Sequence, residues 1–144
     1  MKSARRKSRE LALQGLYQWQ LSQNEPGVID ANLRSTPGFD KADLALYKQL
    51  FYGVIEQVGG LSIGLQPLLD RPVEDLSPIE KAILWLGTYE LRNMLDIPYR
   101  VVINEAVELA KTFGGLDGYK YVNGVLDKFA LEVRQAEIEH AKNR

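Results

Sequence analysis

Apolar residues in this chain recur at every third or fourth position rather than every second, the period of helices that bury one face. The segments marked in this way are 4–22, 28–35, 40–58, 61–70, 78–95, 99–113 and 117–135. Pro26-Gly27 and Pro37-Gly38 read as turns, and Asp40 is positioned to cap the helix that follows. Gly59-Gly60 is expected to break or kink the long third segment, and Arg71-Pro72 to close that half of the chain. Ser77-Pro78-Ile79-Glu80 is a capping box with proline at the first helical position. Pro98 opens the next helix and Gly114-Gly115 closes it. The pattern predicts an all-α fold of about seven helices, one domain over residues 1–135, and a frayed tail over 136–144, where the apolar period is lost.

Placed on a helical wheel, Ala12, Leu13, Leu16 and Trp19 share the arc that must face the core. Lys2, Arg5, Arg6 and Arg9 fall on the same arc one to three turns earlier. A core does not accept four unpaired cations, because each would cost several kcal/mol. The first turns are therefore expected to overhang the body and offer this face to something else. Carboxylates of the same chain could meet it, and so could a phosphate backbone, whose oxygens match the arginine fork in pairs.

Charge sharpens that asymmetry. The formal net charge is −1, yet five of the 18 Lys and Arg residues lie in the first nine positions, and beyond them 13 basic residues face 19 acidic ones. A basic arm on an acidic body suits an anionic partner met locally, although a solvated terminus would have the same composition.

Near the C-terminus, Val122, Val125, Leu126, Phe129 and Val133 form a core arc, with Lys120, Asn123, Gly124 and Asp127 opposite and Tyr119 at the edge. Lysine, asparagine and tyrosine together can supply phosphate contact, base-edge hydrogen bonds and stacking, although such residues on a helix are often simply solvated. Gly124 lies off the core arc, where a helical glycine costs about 1 kcal/mol against alanine. Close approach of another backbone, from this chain or from a ligand, would account for it. The helix from Ile79 to Leu95 is apolar almost all round, so it is either the central helix or is partly open to a partner. Glu90 within its apolar arc needs a cation or donor, for which Arg100 is a candidate.

Nothing in the sequence points to catalysis. There is no cysteine, the single histidine, His140, is in the tail, and no phosphate-binding glycine loop, serine elbow or spaced carboxylate cluster is present. No catalytic residue, metal or cofactor is expected. No apolar run reaches the ~20 residues of a bilayer span, so no membrane role is expected and the cytoplasm is the default compartment.

Ile97-Pro98-Tyr99-Arg100-Val101-Val102-Ile103-Asn104-Glu105-Ala106-Val107-Glu108-Leu109-Ala110-Lys111, with Phe113-Gly114, closely resembles the NusB family signature, as does Lys120-Tyr121-Val122-Asn123-Gly124-Val125-Leu126-Asp127-Lys128. Ala4-Arg5-Arg6-Lys7-Ser8-Arg9-Glu10-Leu11-Ala12, Leu16-Tyr17, and the run from Ile79-Glu80-Lys81-Ala82 to Tyr89-Glu90-Leu91 match in the same order, so the likeness covers about residues 4–130.

The resemblance implies two three-helix bundles packed against each other. It also implies a transcription antitermination factor that binds single-stranded boxA RNA of nascent ribosomal transcripts as a heterodimer with the ribosomal protein NusE. The larger complex would include NusA, NusG and RNA polymerase, and the free protein would be a monomer or weak homodimer. By position, RNA-binding falls on Lys2, Arg5, Arg6, Lys7 and Arg9, and on Phe113, Gly114, Asp117, Tyr119, Lys120, Tyr121 and Asn123. The NusE-facing residues would be Glu74, Glu80 and Leu84. Gly118-Tyr119 stands where the family often has serine and histidine, Tyr121 where phenylalanine is common, and Lys7 where arginine is frequent. Aromatic character and charge survive these changes, whereas a histidine contact and one guanidinium fork do not. Two other readings are a helical protein-interaction module without RNA, and the RNA-binding module of ribosomal RNA cytosine methyltransferases, for whose Rossmann-like domain 144 residues leave no room.

Overall fold

The computed structural model describes residues 3–143, and all regular structure within them is helical. In chain order the α-helices are α1 (Ala4–Ser22), α2 (Pro26–Arg34), α3 (Leu44–Leu65), α4 (Pro78–Asn93), α5 (Tyr99–Phe113), α6 (Gly118–Val133) and α7 (Gln135–Lys142), with short 3-10 turns at Phe39–Lys41, Gln66–Leu68 and Val73–Asp75. The all-α expectation of about seven helices therefore holds. The chain forms two compact units, residues 1–57 and 58–144. None of the helices among the described residues is long and apolar enough to cross a membrane.

The first unit holds α1, α2 and most of α3. Leu11, Leu13, Leu16, Ile29, Leu33, Tyr47, Leu50 and Phe51 are all fully buried. The helix begins where Ser3 caps it by accepting a hydrogen bond from the Arg6 N–H. The first turn does not overhang the body as the charge pattern predicts. The Asp43 N–H donates to the Ala4 carbonyl (3.2 Å), and the Ser8 hydroxyl donates to the carbonyls of Ala4 (3.0 Å) and Asp43 (2.7 Å). These bonds tie the start of α3 across the start of α1. Asp43, not Asp40, caps α3, accepting from the Leu46 N–H at 3.1 Å. Asp40 sits in the preceding 3-10 turn.

A polar cluster joins α2 to α3 in this unit. The Asp30 carboxylate accepts hydrogen bonds from the Tyr47 hydroxyl (2.7 Å), the Tyr52 hydroxyl (2.6 Å) and the Arg34 Nε (3.0 Å). Burial pushes its pKa up, but the bonds from Tyr52, Arg34 and Tyr47 together outweigh burial and hold it below its ordinary value. Burial and the bond to Asp30 push the Tyr52 hydroxyl up to about 12. A lowered carboxyl stabilises the fold above the unfolded carboxylate pKa, roughly pH 4, and that contribution fades as pH falls through the folded value. Asp30→Asn should therefore be less stable than wild type at neutral pH, with the gap narrowing below about pH 4. Urea melts at pH 7 and pH 3 check this, and a gap of constant size would count against it.

Gly59-Gly60 does not break α3, which continues to Leu65. Two helical glycines cost about 1 kcal/mol each, while the full burial of Leu61 and Leu65 on the next turns rewards continuing by about 1.5–3 kcal/mol per side chain. In the second unit α4 is the central helix. Ser77 caps it (Glu80 N–H to Oγ, 3.2 Å), and every residue from Ala82 to Leu91 is buried. It packs against α5 and α6. Gly87 permits the approach of α6, because a Cβ there would lie 2.7 Å from Leu126 Cδ1.

The tail expected to fray forms α7, anchored by two residues. Arg134 is buried and donates to the carbonyls of Leu91 (2.8 Å), Ile97 (3.0 Å), Met94 (3.0 Å) and Glu90 (3.3 Å). These are the carbonyls at the end of α4 and in the loop after it, which a helix terminus leaves without partners. Arg134 also pairs with Glu137 at 2.6 Å, whose second oxygen accepts the Tyr99 N–H at 2.9 Å and caps α5. Arg100, the candidate partner for Glu90, instead donates its Nε to the Tyr99 hydroxyl at 3.1 Å.

Candidate nucleic-acid interface

The basic residues of α1 divide by exposure. Arg5 is exposed, Arg6 and Lys7 are half-buried, and Lys7 lies along Gly38, with its Nζ 3.6 Å from where a Cβ would stand. Arg9 is only 3% exposed and is engaged by another group of the protein. It follows the core arc inward, as the helical wheel places it. This corrects its assignment to an RNA surface. Lys2 lies outside the described residues. The accessible cations of this segment are Arg5, Arg6 and Lys7.

In the second unit the turn between α5 and α6 gathers the other set. Phe113 is 37% exposed and Leu116 98% exposed. Gly114 is needed by the helix end itself, since a Cβ would lie 2.7 Å from the Ala110 carbonyl oxygen. Asp117 adopts the left-handed conformation (φ 66°) that turns the chain into α6, and pairs with Lys120 at 3.4 Å. Both partners are solvent-exposed, so this pair contributes little and is open to exchange with another charged group.

The two tyrosines of α6 have different surroundings. Residues two apart on a helix point to opposite sides. Tyr119 has the ammonium groups of Lys111 and Lys120 at 5.1 and 6.0 Å from its ring centroid. Tyr121 donates its hydroxyl to Asp70 Oδ1 (2.9 Å), with the Arg71 guanidinium 5.1 Å from its ring centroid. Hydrogen bonds from Arg71 and then Tyr121 hold the Asp70 carboxyl at about 2. Tyr121 is thereby hydrogen-bonded to a carboxylate beside one guanidinium, and Tyr119 stands between two lysines. Asn123 is exposed one turn further on. Sequence reasoning missed Lys111 beside Tyr119, because the contact joins two helices. It also missed Asp70 and Arg71 as partners of Tyr121, 51 residues away in sequence.

Of the residues assigned to a protein partner, Glu74 is exposed and Glu80 half-buried, with its Oε1 2.9 Å from where a Cβ on Gly118 would stand. Leu84 is fully buried within α4 and cannot present a surface, which corrects that assignment. Among the described residues no group of three or more His, Cys, Asp or Glu could hold a metal ion.

The described residues form an all-helical fold whose candidate binding groups lie on open surfaces. The family model described as the NusB family matches residues 6–131. The chain is 61% identical over 144 residues to the transcription antitermination protein NusB of Paraburkholderia xenovorans (strain LB400), covering 100% of each. It is 61% identical over 137 residues to the protein of that name from Ralstonia nicotianae, covering 95% of this chain and 88% of that one. Among solved structures, NusB of T. maritima superposes with a TM-score of 0.83 at 28% identity, over 96% of this chain and 99% of that one. A second, crystallised as antitermination factors NusB and NusE in complex with dsRNA, shares the fold with a TM-score of 0.75 at 23% identity, over 87% of this chain and 94% of that one. The chain belongs to the NusB family.

Proposed function

We propose that this chain is a transcription antitermination factor that binds single-stranded boxA RNA of nascent ribosomal transcripts as a heterodimer with the ribosomal protein NusE. It works in the cytoplasm by binding and not by catalysis, and it joins NusA, NusG and RNA polymerase in a larger complex. Free, it is a monomer or weak homodimer. The observation that carries the reading is the placement of cations at both family-matched positions: exposed Arg5 with half-buried Arg6 and Lys7 on α1, and exposed Lys120 beside Tyr119 on α6. Guanidinium and ammonium groups neutralise phosphates, while tyrosine and asparagine supply the stacking and base-edge bonds that a single strand offers. Glu74 and Glu80 are the surface residues proposed to meet NusE.

The relatives from P. xenovorans and R. nicotianae are named as transcription antitermination proteins, which supports this reading. Titrating labelled boxA RNA and a scrambled RNA with this protein, with and without NusE, tests the reading. Binding should favour boxA, strengthen with NusE and weaken steeply as salt rises. Equal affinity for both RNAs, unaffected by NusE, would contradict it.

A further inference from the structure

Beside the family-matched patch, α5 and α6 enclose an open groove of about 340 Å3 lined by Tyr99, Arg100, Ile103, Asn104, Asn123 and Asp127. Its volume falls in the range of small-ligand sites, about 300–1,000 Å3. Arg100 stands 5.7 Å from the Tyr99 ring centroid and shares a hydrogen bond with its hydroxyl. Asn104, Asn123 and Asp127 are exposed, and among the described residues no hydrogen bond or ion pair occupies their side chains. Ile103 is the one aliphatic side chain in the lining.

Gly124 supplies an independent observation. It lies within α6, three residues before Asp127, and a Cβ added there would meet nothing within 4 Å. The close packing that explains Gly87 is therefore absent at Gly124, so a glycine here costs helix propensity without serving the fold. What it provides is a bare stretch of helix surface that a ligand's backbone can approach.

We propose that this groove holds one nucleotide of a single-stranded RNA, with the sugar–phosphate passing over Gly124. Arg100 takes the phosphate, and Asn104, Asn123 and Asp127 read the base edge. Amides and a carboxylate match the donors and acceptors of an unpaired base. A peptide partner would call for a more apolar floor. A duplex, whose base edges are paired, could not place a base between the two helices. The proposal rests on the RNA-binding reading above and adds residues that reading does not contain.

Gly124→Ala and Asn104→Ala are the test, read by fluorescence anisotropy with labelled boxA RNA at low salt and by thermal melting. Gly124→Ala should melt at or above the wild-type temperature, because alanine fits the open space and favours the helix. It should nonetheless bind RNA about tenfold more weakly, the loss expected when one base's contacts go. Asn104→Ala should weaken binding similarly without loss of stability. Wild-type binding to RNA with both variants unchanged would overturn this subsite and leave the wider reading standing. If the wild type itself showed no affinity for RNA, both would fall. Loss of NusE binding with RNA affinity intact would make the groove a protein surface and overturn the proposal.

Discussion

Arg134→Met is expected to lower stability by on the order of 3–5 kcal/mol, because each buried acceptor left without a donor costs about 1–3 kcal/mol. Met94 and Glu90 keep helical or turn donors for their carbonyls, from the Ile97 and Met94 N–H groups. The carbonyls of Leu91 and Ile97 depend on the Arg134 guanidinium (2.8 and 3.0 Å). The same side chain fixes Glu137, which caps α5 through the Tyr99 N–H. Its loss therefore loosens three helices together. Arg134→Lys should recover only part of the stability, since one ammonium cannot reproduce a planar fork spread over several carbonyls. Urea denaturation followed by circular dichroism measures both variants. A methionine variant within about 1 kcal/mol of wild type would show that water replaces the guanidinium at these carbonyls.

The second large effect concerns RNA. Replacing Arg5, Arg6 and Lys7 together with alanine should weaken binding roughly a hundredfold near 0.1 M salt, because each phosphate contact to a single strand contributes about 0.7 to the slope of log affinity against log salt. The slope itself should flatten by about 2. These side chains are exposed or half-buried, so melting should change little. Arg9 stays unaltered in this variant because it is buried, and its removal would report on folding rather than on RNA. An unchanged slope would mean that the phosphates are met elsewhere.

What the sequence revealed depended on how local the cause was. The Ser77–Glu80 cap and the Pro98 start of α5 were legible because cap, proline and first turn are contiguous. Gly59-Gly60 misled because the local cost of glycine is outweighed by Leu61 and Leu65, whose burial only the folded chain displays. The α3 cap shifted from Asp40 to Asp43 because a 3-10 turn intervenes. In the tail, Ile138 is a lone buried apolar residue, and α7 is held mainly by the Arg134 and Glu137 contacts to residues some 40 positions earlier.

The candidate site was legible in the same uneven way. The helical wheel correctly put Arg9 on the core arc, and the expectation built on it failed because the side chain is buried and engaged rather than overhanging the body. Tyr119 and Tyr121 look equivalent in the sequence, yet their contacts across the fold separate a tyrosine flanked by two lysines from one whose hydroxyl is held by Asp70. Leu84 is carried to the partner surface by its place in the family pattern, and its position in a helix apolar almost all round buries it instead.

Backbone amide shifts followed by NMR as boxA RNA is added at low salt test the central claim most directly. The expected result is two groups of perturbed amides, one at Arg5–Lys7 and one running from Tyr119 to Asp127, with Asp30 and Arg134 unmoved. Perturbation confined to other surfaces, or none at RNA concentrations that saturate a relative of the same family, would contradict it.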